Sequence, residues 1–380
     1  MRICVLARGV PDEKSPLNGI YEWSLATTLA ESGYDVTVLA IDLRNGKNRK
    51  KSGLNRYEKE GVKVLDYRIP LGRANKSISI FLRKRICIKT YEKFRINEEL
   101  PDFTWVFFCR TFGPIAACLK REFGVYYVLS EYESRLLTEK IKEKDLKKIK
   151  NVYENAFVLT APNRAFCSRM EEIVGLKFDF LPPRPPTPAE RKSHGEFVFL
   201  SIGALRTDKG MDIVIRAFAS VRKKMKNVRL IIVGAGEERR ALGEQAACLN
   251  VEKSVAFAVP GKDKPLESYF AESDCFVLAS RKEFFGAVYL AALGAGLPVV
   301  TTKCFSPEGL IPPFCGEVVP VDDAVSFAEA MARAASHNSP YDEERIIRYA
   351  EETFSARAIT KKINRFLSER RENRPAQDIE

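Results

Sequence analysis

The sequence predicts an α/β protein built from two Rossmann-like domains that face each other across a cleft. Three observations carry this. The chain has 380 residues, more than one hydrophobic core usually organises. Short β-rich runs alternate with helical patterns in both halves, as in parallel sheets with crossover helices. A proline-rich stretch interrupts that alternation once. Hydrophobic residues make up 45% and charged residues 29% of the chain, the balance of a globular protein rather than a disordered or membrane-embedded one.

The run RICVLA (2–7) is short and apolar, as a strand buried on both faces requires. A helix near 21–32 follows, with Ile20, Trp23, Leu25 and Leu29 on its apolar face. DVTVLAI (35–41) and VKVLDY (62–67) are the next strands. A helix lies within 77–97, TWVFF (104–108) is a strand, a helix lies near 114–122, and VYYVL (125–129) is a strand. LPPRPPTPAERKSHG (181–195) carries five prolines among polar residues and is the interdomain linker. Alternation resumes with FVFLSIG (197–203), a helix near 210–225, VRLIIVG (228–234), a helix near 237–249, SVAFAV (254–259), DCFVLAS (274–280), a helix near 287–294 and LPVVTT (297–302). The domains are therefore expected at 1–184 and 195–355. From Asp342 to Arg371 apolar residues recur at helical spacing, which predicts two helices, the last (356–371) packing back on the first domain.

Composition excludes several classes. The start, MRICVLARGV, has no apolar stretch long enough for a secretory signal, so a cytoplasmic chain is expected. Nine cysteines with no CxxC pair indicate neither a disulfide framework nor a zinc ribbon. His194 and His337 are the only histidines, which argues against His-based triads and multi-histidine metal sites. Between Glu283 and Lys303 lie nineteen uncharged residues, long enough to cross a bilayer. Gly286, Gly294, Gly296 and Pro298 instead divide them into a helix, a turn and a strand.

The net charge is +12, and residues 1–185 hold eleven of that surplus, 34 Lys and Arg against 23 Asp and Glu. The densest runs are 44–59, 83–89 and 140–150. They read either as solvated faces or as attraction to anionic lipid head groups or a polyphosphate. Nucleic acid is not expected, because no recognised binding motif accompanies the charge.

Candidate site residues sit where strands end. Asn18 and Gly19 follow the first strand and let backbone approach a ligand closely, or simply turn the chain. Gly203 ends the second domain's first strand, and Lys209 precedes its helix, where an ammonium neutralises a diphosphate. Glu283 follows DCFVLAS. The segment Phe284, Phe285, Gly286, Ala287 and Val288 then opens a helix whose free N–H groups suit a terminal phosphate. Glu283 is better suited to hydrogen bonds from sugar hydroxyls, with helix N-terminal electrostatics as the plainer alternative. Gly234 and Gly236 either approach a nucleotide base or serve a strand-to-helix turn.

In these residues the chain resembles glycosyltransferase family 4, the retaining nucleotide-sugar transferases of GT-B fold, over nearly its whole length. Leu17-Asn18-Gly19-Ile20 is similar to the acceptor-side glycine loop, with Asn18 in place of a first glycine. Gly203-Ala204-Leu205 and Lys209-Gly210 match the donor loop, with Ala204 where an arginine is common. Glu283, Phe285-Gly286 and Gly296-Leu297-Pro298-Val299-Val300 match the glutamate motif, and SPEGLIPPFCGEVVPVDD (306–323) looks like the stretch that follows. The motif's second glutamate, which holds ribose hydroxyls in the family, is Ala291 here. That loss costs on the order of 1.5–3 kcal/mol, about tenfold to more than a hundredfold in affinity. In VLSEYES (128–134), Tyr132 stands where the family often has a histidine near the reacting sugar.

The resemblance implies a retaining transferase with Glu283, Lys209 and Tyr132 as catalytic residues and no metal or other cofactor. It implies a nucleotide-diphosphate sugar as donor and a glycan or lipid-linked acceptor of the cell envelope or an exopolysaccharide. Peripheral contact with the anionic inner membrane face follows from the basic first half. A degenerate homologue that binds a glycan or partner without transfer is the rival, motivated by Ala291, Ala204 and Tyr132. An epimerase on the same architecture needs a carboxylate and histidine set that the motifs lack.

Overall fold

The computed structural model describes residues 1–12, 15, 18–43, 52–71, 76–139, 141–186, 189, 195–259, 261 and 264–372. The chain divides into two compact units: residues 1–162, 166–184 and 356–380 form the first, and residues 163–165 and 185–355 the second.

The first unit runs β1 (Arg2–Ala7), α1 (Ile20–Glu31), β2 (Asp35–Asp42), β3 (Gly53–Lys59), β4 (Val62–Arg68), α2 (Lys76–Ile96) and β5 (Phe103–Phe107). A five-residue π-helical turn, Phe108–Phe112, leads to α3 (Gly113–Phe123), β6 (Tyr126–Ser130), α4 (Arg135–Thr138), α5 (Glu143–Glu154), β7 (Val158–Ala161), α6 (Arg164–Val174) and β8 (Asp179–Phe180). Its eight strands order as β3-β4-β2-β1-β5-β6-β7-β8, parallel except for the β3–β4 pair.

The second unit runs β9 (Phe197–Ile202), α7 (Met211–Lys224), β10 (Val228–Val233), α8 (Arg239–Cys248), β11 (Val255–Ala258), α9 (Leu266–Ala271), β12 (Cys275–Leu278), α10 (Ala287–Gly294), β13 (Val299–Thr302), β14 (Gly316–Val319), α11 (Ala324–Ala334) and α12 (Glu343–Phe354). All six strands are parallel, in the order β11-β10-β9-β12-β13-β14. The last helix, α13 (Ala356–Glu372), belongs to the first unit and lies against α1.

Continuous apolar runs make these strands because both sheet faces are covered by helices. Trp105, Tyr127 and Phe112 are fully buried in the first unit, and Phe199, Phe218, Phe276 and Tyr289 in the second. Each such side chain contributes about 1.5–3 kcal/mol on leaving water. The strand order reverses beside β1 and again beside β9, so the loops after β1 and β5, and after β9 and β12, flank a crevice at the carboxyl ends of each sheet.

Several elements differ from the sequence reading. The basic stretch 44–59 contains the antiparallel edge strand β3, and its residues 44–51 lie outside the described residues. The charge run 140–150 is mostly α5, which buries Ile149, Val152 and Tyr153 on one face. β7, α6, β8, α9, β14 and α11 went unforeseen. Of the expected linker, Leu181–Arg184 belongs to the first unit, while 187–188 and 190–194, with His194, are not described. Among the described residues no helix is long and apolar enough to cross a membrane. The uncharged window holds the eight-residue α10 and the strand β13. All nine cysteines are free, and Cys248 alone is exposed.

Candidate functional site

In the second unit the chemistry-bearing residues come from the ends of β9 and β12. The N–H of Gly203 donates to Val233 O at 3.0 Å, that of Leu205 to Ala235 O at 2.9 Å, and that of Glu238 to Leu205 O at 3.1 Å. These bonds lay the loop after β9 against the loop after β10. A Cβ on Gly234 would lie 1.9 Å from Gly203 O, and one on Gly236 2.2 Å from Leu205 O. The contact of two backbones accounts for both glycines, as the strand-to-helix turn that was one of the two expectations requires.

Gly210 caps α7 with φ 62°, and a Cβ there would lie 1.8 Å from Ala279 O. This close approach brings the 3₁₀ turn Thr207–Lys209 beside the end of β12. Lys209 Nζ then donates to Glu283 Oε2 at 2.7 Å, with the two side chains 20% and 12% exposed. The sequence reading gave the ammonium to a diphosphate and the carboxylate to a sugar. The structure puts them in one ion pair, each the other's neutralising partner.

Backbone fixes Glu283 from both sides. Its N–H donates to Cys304 O at 3.2 Å and its C=O accepts from Ser306 N at 3.0 Å. Burial pushes the neighbouring Cys304 thiol up to about 11, so it stays protonated. Two residues earlier, Arg281 donates to both oxygens of Asp212 at 3.0 and 2.9 Å, to Asp322 Oδ1 at 2.7 Å and to Thr207 O. Burial alone would raise the Asp212 carboxyl, but hydrogen bonds from Arg281 overcome it and hold the group below its usual range. Arg281 thus ties the lysine-bearing turn to the glutamate-bearing loop. Sequence reasoning passed over it, although it stands beside Glu283 in the same short segment.

The next feature is the start of α10. Gly286 caps it at φ 77°, and a Cβ there would meet Leu310 Cδ1 at 2.5 Å and Ser306 Oγ at 2.7 Å. The cap makes no side-chain hydrogen bond, and the first turn holds no acid. Ala287 is exposed and Val288 half-buried, so the first turn, whose N–H groups lack intrahelical acceptors, lies at the surface of the unit. With the helix dipole they suit an anion. Phe284 is held through its C=O by Asn163 Nδ2 at 2.7 Å, and its ring lies 5.7 Å from that of Phe305. Ala291 is 7% exposed within α10 and offers no polar group.

In the first unit, Gly19 caps α1, and a Cβ on it would lie 2.1 Å from Gly9 O. Asn18 packs on Gly9, and its Nδ2 is buried without a hydrogen-bond partner. Leu17 lies outside the described residues. Tyr132 corrects an expectation. It is 5% exposed and sits among the rings of Tyr21, Phe107 and Phe108 at 4.7, 5.4 and 6.4 Å. Burial pushes its phenol well above 10, so it is a packing residue rather than one that meets substrate.

The residue before it was missed. Glu131 is fully buried and accepts from the N–H groups of Cys109, Tyr132 and Glu133 at 3.1, 2.9 and 2.8 Å and from Tyr153 Oη at 2.6 Å. Burial pushes its carboxyl up to about 7 against the pull of these bonds. It pins the π-helical turn after β5 to the loop after β6. Around that turn Arg8 donates to Glu22 Oε1 at 2.9 Å and lies over the Phe108 ring at 3.9 Å, and Arg110 pairs with Glu133 at 3.3 Å. No single motif marks this group, because its members come from five separate segments.

Residues 187–353 match the model of a family described as glycosyl transferases group 1. The α-monoglucosyldiacylglycerol synthase of Streptococcus pneumoniae is 36% identical over 108 residues, 28% of this chain and 24% of that protein. The chain spans about a quarter of the length of curated relatives such as this one. Two solved structures share the fold over almost the whole chain. The sucrose-phosphate synthase of Thermosynechococcus elongatus has a TM-score of 0.74 at 16% identity, covering 97% of this chain and 98% of that one. Anabaena HepE in complex with UDP has a TM-score of 0.67 at 16% identity, covering 97% and 99%. The two Rossmann-like units thus share the GT-B fold of these structures.

Proposed function

We propose, from the match of residues 187–353 to the group 1 glycosyl transferases, that the chain moves a sugar from a nucleoside diphosphate to a hydroxyl of a lipid-linked, cell-envelope or exopolysaccharide acceptor, with retention at the anomeric carbon. The observation that carries this is the Lys209–Glu283 pair at 2.7 Å, with Glu283 three residues before Gly286, whose cap of α10 makes no side-chain hydrogen bond. When donor binds, the ammonium exchanges a carboxylate oxygen for diphosphate oxygens, and the Ala287 and Val288 amides take the distal phosphate. Glu283, freed on one oxygen and still anchored by its backbone, accepts hydrogen bonds from the sugar hydroxyls.

The anomeric carbon–oxygen bond to the diphosphate breaks while a bond to the acceptor oxygen forms on the same face. The acceptor proton passes to the departing phosphate. Charge that develops on the leaving group meets donors already in place, which is where such sites gain most of their rate. The scheme needs no metal ion. The pneumococcal relative's name supports a lipid acceptor, and the UDP bound to HepE puts uridine donors first in a screen. Ala291 leaves the ribose with weaker support than a carboxylate would give.

The test is nucleotide release from a panel of UDP-, GDP- and ADP-sugars with envelope lipid extract, beside calorimetric titration with the free diphosphates. Enzyme-dependent release of one nucleotide is expected. No heat with any diphosphate and no release would leave a glycan- or partner-binding module instead.

Contact with an anionic membrane belongs to the same proposal, and α2 supports it. Ile78 and Phe81 are 50% and 60% exposed. Leu82, Arg85, Ile88 and Lys89 continue their stripe at helical spacing, and the helix carries seven Lys or Arg against Glu92 alone. An apolar stripe flanked by cations is the composition of an interfacial helix. Its N-terminus follows the carboxyl end of β4, the edge of the sheet where the acceptor is placed, at the cytoplasmic face of the membrane.

A further inference from the structure

The first unit's crevice contains an electrostatic arrangement that no partner among the described residues completes. Arg8, just past β1, rests on the Phe108 ring at 3.9 Å, and Arg83 of α2 lies 5.8 Å from the ring of Phe112. Both rings belong to the same π-helical turn at the carboxyl end of β5. The Nε donor of Arg83 is buried without a hydrogen-bond partner. Burial lowers the Arg83 pKa. The nearby Arg8 charge acts the same way, against Cys87 and Asp42. Arg8 has Glu22 as partner, so its charge is partly compensated, while an Arg83 donor is not.

Two further features mark the place. Phe108 adopts φ 60°, a left-handed conformation that an aromatic residue rarely holds and that concentrates at ligand sites. Single π-helical turns do likewise. Asn18 Nδ2, which packs on Gly9 next to Arg8, is a second buried donor without an acceptor. A buried donor left unpaired is costly, and so are like charges held near one another in a desolvated place. An anion relieves both at once. Two guanidinium groups and an amide N–H from separate segments match the several oxygens of a phosphoryl group.

We propose that this crevice is an anion site in which Arg8 and Arg83, backed by Phe108 and Phe112, bind a phosphoryl group carried by the acceptor. The proposal rests on the reading that the first unit receives the acceptor, and it narrows that acceptor to a phosphorylated one. A lipid phosphate and a soluble sugar phosphate offer the same chemistry to these arginines.

The full chain, saturated with UDP so that the donor site is occupied, is titrated calorimetrically with geranyl phosphate and geraniol, and with glucose 6-phosphate and glucose. In at least one pair the phosphorylated member is expected to bind tenfold or more tightly, and the pair that shows it identifies the source. Arg83→Met should abolish that preference while leaving the melting temperature unchanged or higher, because it removes a poorly compensated buried charge. Arg83→Lys should retain part of the preference. Equal affinity within both pairs, or an undiminished preference in Arg83→Met, overturns the proposal. So does loss of preference together with a melting temperature several degrees lower, which would make Arg83 structural. Heat of UDP binding, read in the same samples, reports on the transferase reading separately.

Discussion

The two units meet charge at the carboxyl edge of their sheets in different ways. In the second, the three cations of the two site loops that form ion pairs are each matched to an anion: Lys209 to Glu283, Arg281 to Asp212 and Asp322, and Arg206 to Asp208. In the first, Glu131 is held by three backbone amides and a phenol instead of a cation, and Arg83 keeps a buried donor with no acceptor. At the second edge these charges are paired before ligand arrives, so binding is an exchange of partners. The first carries a guanidinium with an unpaired buried donor and a carboxyl raised to about 7, so binding there completes an unfinished network.

The largest expected effect falls on the exchange. Lys209→Met keeps the aliphatic stem and removes the ammonium. Turnover should fall by about 10²–10³-fold, the scale of losing one donor aimed at developing charge. Steady-state nucleotide release measures it, with the melting temperature as control. A fall of only a few-fold would mean that the α10 amides carry the diphosphate alone, and the contrast between paired and unpaired edges would lose its functional content.

The next effect sharpens the contrast from the side of the first unit. Its folded state raises the Glu131 carboxyl from 4.5 to about 7. Folding therefore favours the protonated form, and the stability this supplies is fully present below pH 4.5 and is lost as pH rises through about 7. The loss amounts to about 3 kcal/mol. Asp208, Asp212 and Glu317, whose carboxyls are lowered in the second unit, act below that window. Both tryptophans, Trp23 and Trp105, lie in the first unit, so their fluorescence follows its urea unfolding alone. The transition should come at lower urea at pH 7.5 than at pH 5, and Glu131→Gln should flatten the difference. A midpoint independent of pH in the unsubstituted chain would show that the amide donors hold the carboxylate ionised throughout.

Most of the fold and half of the site were legible in sequence for the same reason. A strand covered on both faces must be a short apolar run, so RICVLA, VRLIIV and CFVL declare themselves. Edge strand β3, GLNRYEK, is exposed along nearly all its length and carries no such signal. α5 hides its buried Ile149, Val152 and Tyr153 behind four lysines that dominate the local composition. Lys209, Glu283 and Gly286 stand in continuous segments, and local spacing exposed them. Arg8, Arg83, Phe108 and Glu131 gather only through sheet order, and the φ of Phe108 has no mark in sequence. Tyr132 failed for a related reason: its position in a segment was readable, but the rings that enclose it come from α1 and β5.

The smallest effect concerns which basic helix meets a membrane, and α2 and α5 make the comparison. Both are rich in lysine or arginine, but α2 adds exposed Ile78 and Phe81, whereas the apolar residues of α5 are turned inward. Charge alone does not separate them, since each cation near an anionic surface contributes about 1 kcal/mol. Apolar insertion does. Phe81→Glu should reduce partition onto vesicles of equal phosphatidylglycerol and phosphatidylcholine by roughly tenfold, the loss of part of one aromatic's transfer energy. The paired change Lys147→Gln and Lys150→Gln on α5 should cost under threefold. Were α5 the contacting face, those two charges would cost about thirtyfold and Phe81→Glu little. Flotation with a fluorescent lipid tracer distinguishes the patterns. Retained UDP heat shows that the second unit is intact, and light scattering shows whether Phe81 instead covers a second copy of the chain, which would count against the membrane.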